Sequence, residues 1–599
     1  MPKRSMPVGN NINMKMETKY YTSERNVQIM IYLLKAHGIK RVIASPGTTN
    51  MTFIGSIQQD PWFEIYSSVD ERSAAYLACG MAAETGEPVV LSCTGATASR
   101  NYMPGLTEAY YRKLPVLALT SHRGDFRLGH LLDQQIDRRQ SPLDIAVEKC
   151  VLPLVKDAND EFYCTIEANK AILALTQRGG GPVHVNMFTR YSPDFSIKQL
   201  PSARVIHRYT MANQLPEIAK NKKVAIFVGA HKHFSDSENT AIEAFCQTNN
   251  AVVFCDHTSG YRGRYAVHNA LICAQRLADS SIRTMNILIH IGEVSGDAYG
   301  KGLKMQEVWR VNEDGAVRDS WGKLTNVFEM PEEAFFKTYS KGQNTDDSFL
   351  KQCLSEYQRL LNNLPELPFS NIWMASQMYD KIPQNSEVHF GIYNSLRAWN
   401  FFSLDTSIKT NCNVGGFGID GGVSSLIGAS ICNPTKLYFG VFGDLAFFYD
   451  MNVLGNRHVG NNVRILLINN GKGNEFRLYS HPCSAFGEDA DPFMAAAGHY
   501  GNKSPNLVKH YAEDLGYKYL SASNKEEFLM NLPSFRDTTD KSQPYLLEVF
   551  TETEEESKAL EQILNFDVDA TTGLKRKIAN RLQGTPVEGV INAVRKIIK

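Results

Sequence analysis

Two side chains at successive strand ends carry the plainest chemistry in this sequence. Asp444 follows an apolar run from Lys436 to Gly443 and opens the stretch DLAFFYDMNVL; Asn470 follows the run Val463 to Ile468 in VRILLINNGKGNEF. Both runs read as buried strands, one leading into a helix and the other into an asparagine–glycine turn. Ligands in open α/β folds bind at such strand ends. A carboxylate and a side-chain amide offer hard oxygen ligands, which suit Mg²⁺ that is also held by phosphate oxygens. Gly443, Leu445 and Ala446 surround a predicted helix N-terminus, whose backbone N–H groups can face a diphosphate.

Other segments admit two readings each. In YSSVDERSAAYLACGMAAETGEP, Glu71 begins a helix rich in small residues. An acid in a first turn is ordinarily there for the helix dipole, a role that Asp70 fills equally well; the functional reading makes Glu71 a buried acid facing a cofactor ring nitrogen. The small residues Ala74, Ala75, Ala78, Gly80, Ala82 and Ala83 are explained by close helix packing. RVIASPGTTN is a strand and Pro-Gly turn carrying Thr48 and Thr49, either a plain connection or a substrate-facing loop. CTGATASRN is a second small-residue loop, and neither fits GxxxxGK or GxGxxG. His122 and Arg123 follow the strand LPVLALT, where a solvated loop is the ordinary reading. IDGG, Ile419 to Gly422, reads as a tight turn before a helix.

These side chains need strands and helices to hold them, and the chain alternates short apolar runs with amphipathic helices throughout. The pattern predicts an α/β fold of three doubly wound parallel sheets. A mobile extension is expected over 1–20. A first domain, 21–200, has strands at RVIASPG, EIYSSV, PVVLSCTG, LPVLALT and PVHVNM. A central domain, 201–365, has KKVAIFVGA, AVVFCD, MNILIHIG and EVWRVN. A third, 366–551, has EVHFGIY, LYFGVFGD, VRILLINN and PYLLEVF, and 552–599 reads as a helical tail. The 599 residues are 43% hydrophobic, enough for several cores. With 63 basic and 63 acidic residues and no like-charge block, charge gives no reason to expect nucleic acid or membrane as partner. Eleven cysteines lack metal or disulfide spacing and read as buried thiols. The start, MPKRSMPVGNNINMKMETKYY, has no apolar leader core, and no run is long enough to span a bilayer. A soluble cytoplasmic protein is expected.

Taken in order, ASPGTTN, DERSAAYLACGMAAETGEPV, TSHRGDF, GPVHVNMF, WRVNEDGAVRDSW, GFGIDGGVSS, GDLAFFYDMNVL and LLINNGKGNEF resemble the thiamine diphosphate enzymes. Within them the set is most similar to the 2-succinyl-5-enolpyruvyl-6-hydroxy-3-cyclohexene-1-carboxylate synthase family of menaquinone biosynthesis. The resemblance covers all three predicted domains, which become the pyrimidine, central and diphosphate domains. It implies that Glu71 meets N1′ of the cofactor's aminopyrimidine, favouring the tautomer whose exocyclic nitrogen takes the C2 proton. It implies that Ile419 props the cofactor bent, and that Asp444, Asn470 and the backbone carbonyl of Lys472 hold Mg²⁺. GDL at Gly443 to Leu445 matches this family rather than the commoner GDG. Gln134, eleven positions after Arg123, falls near the spacing between the family's substrate arginine and active-site glutamine.

Three positions depart from the family. Thr49, Val414 and Trp399 stand where the synthases have anion-binding arginines, and a neutral residue does not replace a planar bidentate ligand. Arg123 is kept. The resemblance thus implies intact cofactor machinery with thiamine diphosphate and Mg²⁺, Thr48, Thr49 and Arg123 facing substrate, and a changed acceptor. The expected reaction is decarboxylation of a small 2-oxo acid donor with transfer of the acyl anion equivalent to an unknown acceptor. The alternatives are decarboxylation without ligation and a non-catalytic homologue. A homodimer or homotetramer is implied, and no flavin signature stands out in the central domain.

Overall fold

The computed structural model describes residues 20–568, apart from 343 and 345. The extension expected over 1–20 lies outside it except for Tyr20, whose N–H donates to the Phe195 carbonyl at 2.9 Å. Of the expected tail, the helix Thr553–Asn565 is described and residues beyond 568 are not. The chain divides into two compact units between Arg208 and Tyr209.

The first unit is built on six parallel strands: β1 Arg41–Ala44, β2 Glu64–Ser67, β3 Val89–Cys93, β4 Val116–His122, β5 Glu148–Leu152 and β6 Val183–Phe188, ordered β2-β1-β3-β4-β6-β5. β3 and β4 are buried at every position, as a strand covered by helices on both faces must be. The helix Glu71–Thr85 starts where Asp70 accepts from the Ser73 N–H and stops at Gly86, in the left-handed region at φ 69°.

A seven-stranded sheet follows: β7 His207–Thr210, β8 Val224–Val228, β9 Val252–Cys255, β10 Ala266–His268, β11 Thr284–Ile291, β12 Lys304–Asn312 and β13 Leu324–Glu329, ordered β10-β9-β8-β11-β12-β13-β7. The boundary between the units falls within β7. From β10 to β13 the strands run parallel.

The third sheet also lies in the second unit: β14 Glu387–Phe390, β15 Lys409–Cys412, β16 Tyr438–Gly443, β17 Val463–Asn469, β18 Lys518–Ala522 and β19 Tyr545–Phe550. All its pairs are parallel, in the order β15-β14-β16-β17-β19-β18. Within this unit His257, after β9, bonds through Nε2 to the carbonyls of Trp399 and Phe402, each at 3.0 Å. Burial holds that imidazole down to about 3, so it stays neutral and donates. The expected α/β class with three doubly wound parallel sheets is what the chain adopts. All eleven cysteines are free thiols, eight of them buried. Among the described residues no helix is long and apolar enough to cross a membrane.

Candidate functional site

In the third sheet, β16 and β17 are neighbours, paired from Tyr438↔Val463 to Gly443↔Ile468. Their carboxyl ends therefore bring Asp444 and Asn470 to one edge. Asp444 is 4% exposed and opens the helix Asp444–Asp450. Its Oδ1 accepts from the Leu445 N–H at 2.8 Å. Burial pushes its carboxyl up to about 7, against the pull of the N–H groups of Leu445, Gly471, Asn470 and Lys472. No described cation pairs with it.

The two asparagines after β17 have different fates. Both ends of Asn469 are partnered: Nδ2 donates to Glu548 Oε1 at 2.7 Å and Oδ1 accepts from the Gly471 N–H at 3.2 Å. Asn470 Oδ1 is buried with no hydrogen-bond partner among the described residues. A buried orphan oxygen beside a buried, cation-free carboxylate is the donor set a hard divalent ion would satisfy. A Cβ built on Gly443 meets nothing within 4 Å, so space is open beside this helix start. No cluster of three or more His, Cys, Asp or Glu suited to a metal occurs among the described residues. A cation here would draw its remaining ligands from backbone and from a bound diphosphate.

The surrounding loops are fixed. Lys472 Nζ pairs with Asp491 Oδ2 at 2.7 Å, and Arg477 holds the other oxygen. Asn413 Nδ2 donates to the Gly421 carbonyl and to Ser425 Oγ, stapling the turn that carries the half-buried Ile419. Ser424 bonds Asp450 through both N–H and Oγ, at 2.6 Å each, tying the helix Gly422–Cys432 to Asp444–Asp450. Leu445 is half-buried and Ala446 buried.

In the first unit, the loops after β1 and β3 meet at the point where successive strands diverge across the sheet, the usual crevice of an open α/β fold. A Cβ at Gly47 would run into the Thr94 methyl, so only glycine allows the approach. Thr48 is exposed; Thr49 is 4% exposed, with its Oγ1 unpartnered. Asp70 takes the capping duty through Ser73 N and Oγ, at 3.0 and 2.6 Å. Glu71 is thereby released from it. Its carboxylate is half-buried rather than buried as expected, with Asn101 Nδ2 at 3.3 Å from Oε2.

His122 is a buried strand residue, not a solvated loop residue, and its Nδ1 accepts from the Gly124 N–H at 3.0 Å. Burial, reinforced by Arg138, lowers its pKa. Arg123 is forked on Asp133 at 3.2 Å to each oxygen and lies over the Tyr191 ring. Gln134 is exposed, with φ at 54°. Val414 and Trp399, at 4% and 0% exposure, belong to the core: Trp399 packs on Phe390 at 5.5 Å. These replacements for arginine do not present apolar surface to an open pocket. A large ring and a branched side chain are drawn inward instead.

Sequence reasoning missed Arg138. Its Nη1 donates to Thr120 Oγ1 at 3.0 Å and its Nη2 to Asn186 Oδ1 at 2.7 Å, at the ends of β4 and β6. Nε has no partner, and no described carboxylate lies within ion-pair reach. Burial lowers its pKa, and Gly95 leaves it room, an added Cβ there standing 3.3 Å from Nη2. It borders a cavity of about 20 Å³ with Ser99, Gln140, Ser141 and His184, room for about one water. In DRRQ nothing but burial distinguishes it from a solvated arginine.

Comparison with known proteins adds the following. Residues 25–141 match the family described as thiamine pyrophosphate enzyme, N-terminal TPP binding domain. The 2-succinyl-5-enolpyruvyl-6-hydroxy-3-cyclohexene-1-carboxylate synthase of Bacteroides thetaiotaomicron is 28% identical over 572 residues, covering 90% of this chain and 98% of the relative. That of Phocaeicola vulgatus is 28% identical over 583 residues, covering 93% and 100%. Among solved structures, a Rhodococcus jostii RHA1 thiamine diphosphate-dependent 4-hydroxybenzoylformate decarboxylase aligns at 16% identity over 89% of this chain and all of that one. Its TM-score is 0.40, too loose to carry an argument. The resemblance to thiamine diphosphate enzymes, and to the carboxylate synthases among them, is borne out by the sequence matches.

Proposed function

We propose that this chain is a thiamine diphosphate- and Mg²⁺-dependent carboligase that decarboxylates a 2-oxo acid and transfers the acyl anion equivalent to an acceptor. The observation that carries the proposal is the pairing of buried, cation-free Asp444 with the orphaned Asn470 Oδ1 beside the open space at Gly443. Asp444, Asn470 and the Lys472 carbonyl would hold Mg²⁺, while Gly443, Leu445 and Ala446 line the diphosphate. Thiamine diphosphate, when bound, supplies the electron sink for loss of the carboxylate. Glu71, freed from capping by Asp70, would hold the proton at N1′, and Ile419 would pack against the cofactor. Arg123 and Arg138 receive the donor's carboxylate, with Gln134 on the same loop and Thr48 and Thr49 across the first sheet's crevice.

The reaction needs two chains, because Glu71 of one subunit serves the cofactor held by Asp444 of another. The large apolar side chains left exposed on and before the helix that Glu71 opens, Val69, Tyr76 and Leu77, suit a homodimer or a homotetramer. Retention of Glu71, Asp444 and Asn470 together argues against a non-catalytic homologue. The cytoplasm, where such small-molecule chemistry would be supplied, is the proposed location.

The acceptor differs from that of the synthases. Isochorismate is a dicarboxylate, and a carboxylate buried without a partner costs several kcal/mol. The arginines expected for it are Thr49, Val414 and Trp399 here. The test offers purified protein a panel of 2-oxo acids with Mg²⁺ and thiamine diphosphate, alone and with acceptors, and measures CO₂ and products. An α-hydroxyketone or 1,4-adduct is expected, and an aldehyde alone would mark a simple decarboxylase. Turnover of 2-oxoglutarate with isochorismate matching the best other pair would overturn the changed acceptor. Absence of CO₂ release from any donor would overturn the whole assignment.

A further inference from the structure

The central sheet holds a second concentration of unsatisfied polar groups, unrelated to Asp444. Phe227 on β8, His290 on β11 and Arg310 on β12 are register partners of one another across three adjacent parallel strands. Register partners share a face of the sheet, so the three side chains form a transverse row. The row lies one or two residues from the carboxyl ends of its strands. It straddles β8 and β11, from which successive strands run off to opposite sides. That is where an open α/β sheet has its ligand crevice. Trp321, in the loop after β12, closes over the row, its ring 5.1 Å from Phe227 and 5.0 Å from His290.

Arg310 is 1% exposed, yet its Nε and Nη1 have no acceptor among the described residues. Trp321 Nε1 and His290 Nδ1 are unpartnered as well. The one ion-pair partner of Arg310 among the described residues is Glu293, whose Oε1 stands 3.6 Å from Nη2, beyond hydrogen-bond length, on a side chain 65% exposed, so water screens the pair and Nε and Nη1 are left unengaged. Arg318 adds positive charge nearby but is itself forked on Asp314, and His231 faces Glu332. Burial, with the two arginines, holds His290 down to about 3, so its ring is neutral and carries one N–H. A buried guanidinium and an indole N–H left empty on one face, beside an imidazole Nδ1 that can carry the ring's one proton, are donors in want of an anion. One acceptor accompanies them: Asn312 Oδ1, two residues along β12 and hence on the same face, is also unpartnered and suits a protonated oxygen.

We propose that Arg310, His290 and Trp321 form a binding site for a small oxyanion, a phosphate or carboxylate group, on the central sheet, entered past Glu293. Trp321 lies on a loop, so Trp321→Phe keeps an aromatic ring against Phe227 and His290 and removes the indole donor. Arg310→Met keeps the volume and removes the charge.

The experiment titrates the full chain with sodium phosphate and, separately, succinate, against sodium chloride at matched ionic strength, following heat and Tm. Saturable binding of one or both oxyanions to wild type is expected, the two arms telling phosphate from carboxylate. Trp321→Phe should weaken it roughly tenfold, as for a hydrogen bond to a charged group, and Arg310→Met should abolish it. Removing a weakly compensated buried charge should leave Arg310→Met melting at or above wild type in chloride, with the ranking reversed in saturating oxyanion. A wild-type response to phosphate and succinate no greater than to chloride would overturn the proposal. So would binding that survives Arg310→Met, or an Arg310→Met protein that melts below wild type in every buffer, the mark of a purely structural arginine.

Discussion

The first and third sheets are the same design used for different chemistry. Renumbered from their own first strands, both read 2-1-3-4-6-5, and every pair described in either is parallel. In the third sheet the polar groups stand after its third and fourth strands, as Asp444 and Asn470, beside the point where the strands diverge. At the matching positions of the first sheet stand Thr94 after β3 and Arg123 after β4, and its candidate acid, Glu71, follows the second strand instead. The charge balance is reversed as well: the third sheet buries acid without cation at Asp444, and the first half-buries cation without acid at Arg138. A fold fixes where loops cluster, and the residues at individual strand ends decide whether the cluster holds a metal diphosphate or an organic anion.

The comparison can be broken most sharply at its two acids. Glu71→Gln should lower turnover on the order of 10²–10⁴-fold while leaving the melting transition in place. C2 proton exchange of thiamine diphosphate reads the same step directly, and exchange at the wild-type rate would sink the role. Asp444→Ala, or EDTA on wild type, should weaken thiamine diphosphate binding by about 100-fold or more, since even indirect support of a metal is worth 10–100-fold. Equal cofactor affinity with and without Mg²⁺ in both proteins would refute the metal site. If each cofactor uses Glu71 and Asp444 from different chains, mixing inactive Glu71→Ala with inactive Asp444→Ala regains activity. Random exchange in a two-fold dimer restores at most about one quarter of the sites. No recovery under proven subunit exchange would mean that one chain supplies both.

Adjacent asparagines sharpen the picture within the third sheet. Asn469→Ala should destabilise the fold by about 1–3 kcal/mol, because it strands the buried Glu548 Oε1. Asn470→Ala should leave stability within about 0.5 kcal/mol and weaken Mg²⁺-dependent cofactor binding, because Oδ1 has no protein partner to lose. Denaturant melts and cofactor titrations on both variants check the pair, and matching profiles would erase the distinction.

What the sequence showed of this design follows from burial. Strands with both faces covered, such as VVLSC, VAIFV and VRILLIN, are unbroken apolar runs and were readable. The strands that escaped lie toward the margins: β5 (EKCVL), β15 (KTNC) and β18 (KYLSA) at sheet edges, and β10 and β7 at the two ends of the central sheet, with β13 next to β7. Half covered, they mix polar with apolar residues and carry no run to detect. Asp444 and Asn470 were legible because they end interior runs. Arg138 and Arg310 were not, because an arginine's burial and missing acid are set by residues distant in sequence. The burial of Trp399 was illegible for the same reason, its ring turning into the core.

The smallest expected effect tests the reversed charge balance through pH. Glu556, on the helix Thr553–Asn565 in the second unit, is 6% exposed and accepts from the Asn371 N–H at 3.0 Å. Burial raises its pKa to about 7 from an ordinary value of 4.5, and no described cation compensates. For an acid whose folded pKa lies above its unfolded one, the folded state binds the proton more tightly. Its stabilising share is complete below about pH 4.5 and is lost as pH climbs through about 7, up to roughly 3 kcal/mol for a shift of this size. Glu556→Gln mimics the protonated form and keeps the acceptor oxygen. The variant should match wild type near pH 5 and exceed it near pH 8, by a margin that solvent relaxation around the site makes smaller than that ceiling. Chemical denaturation of both proteins at the two pH values measures the difference. A variant less stable than wild type at pH 8 would mean that the ionised carboxylate finds compensation in the fold, and the second unit would not be the one burdened with buried acid.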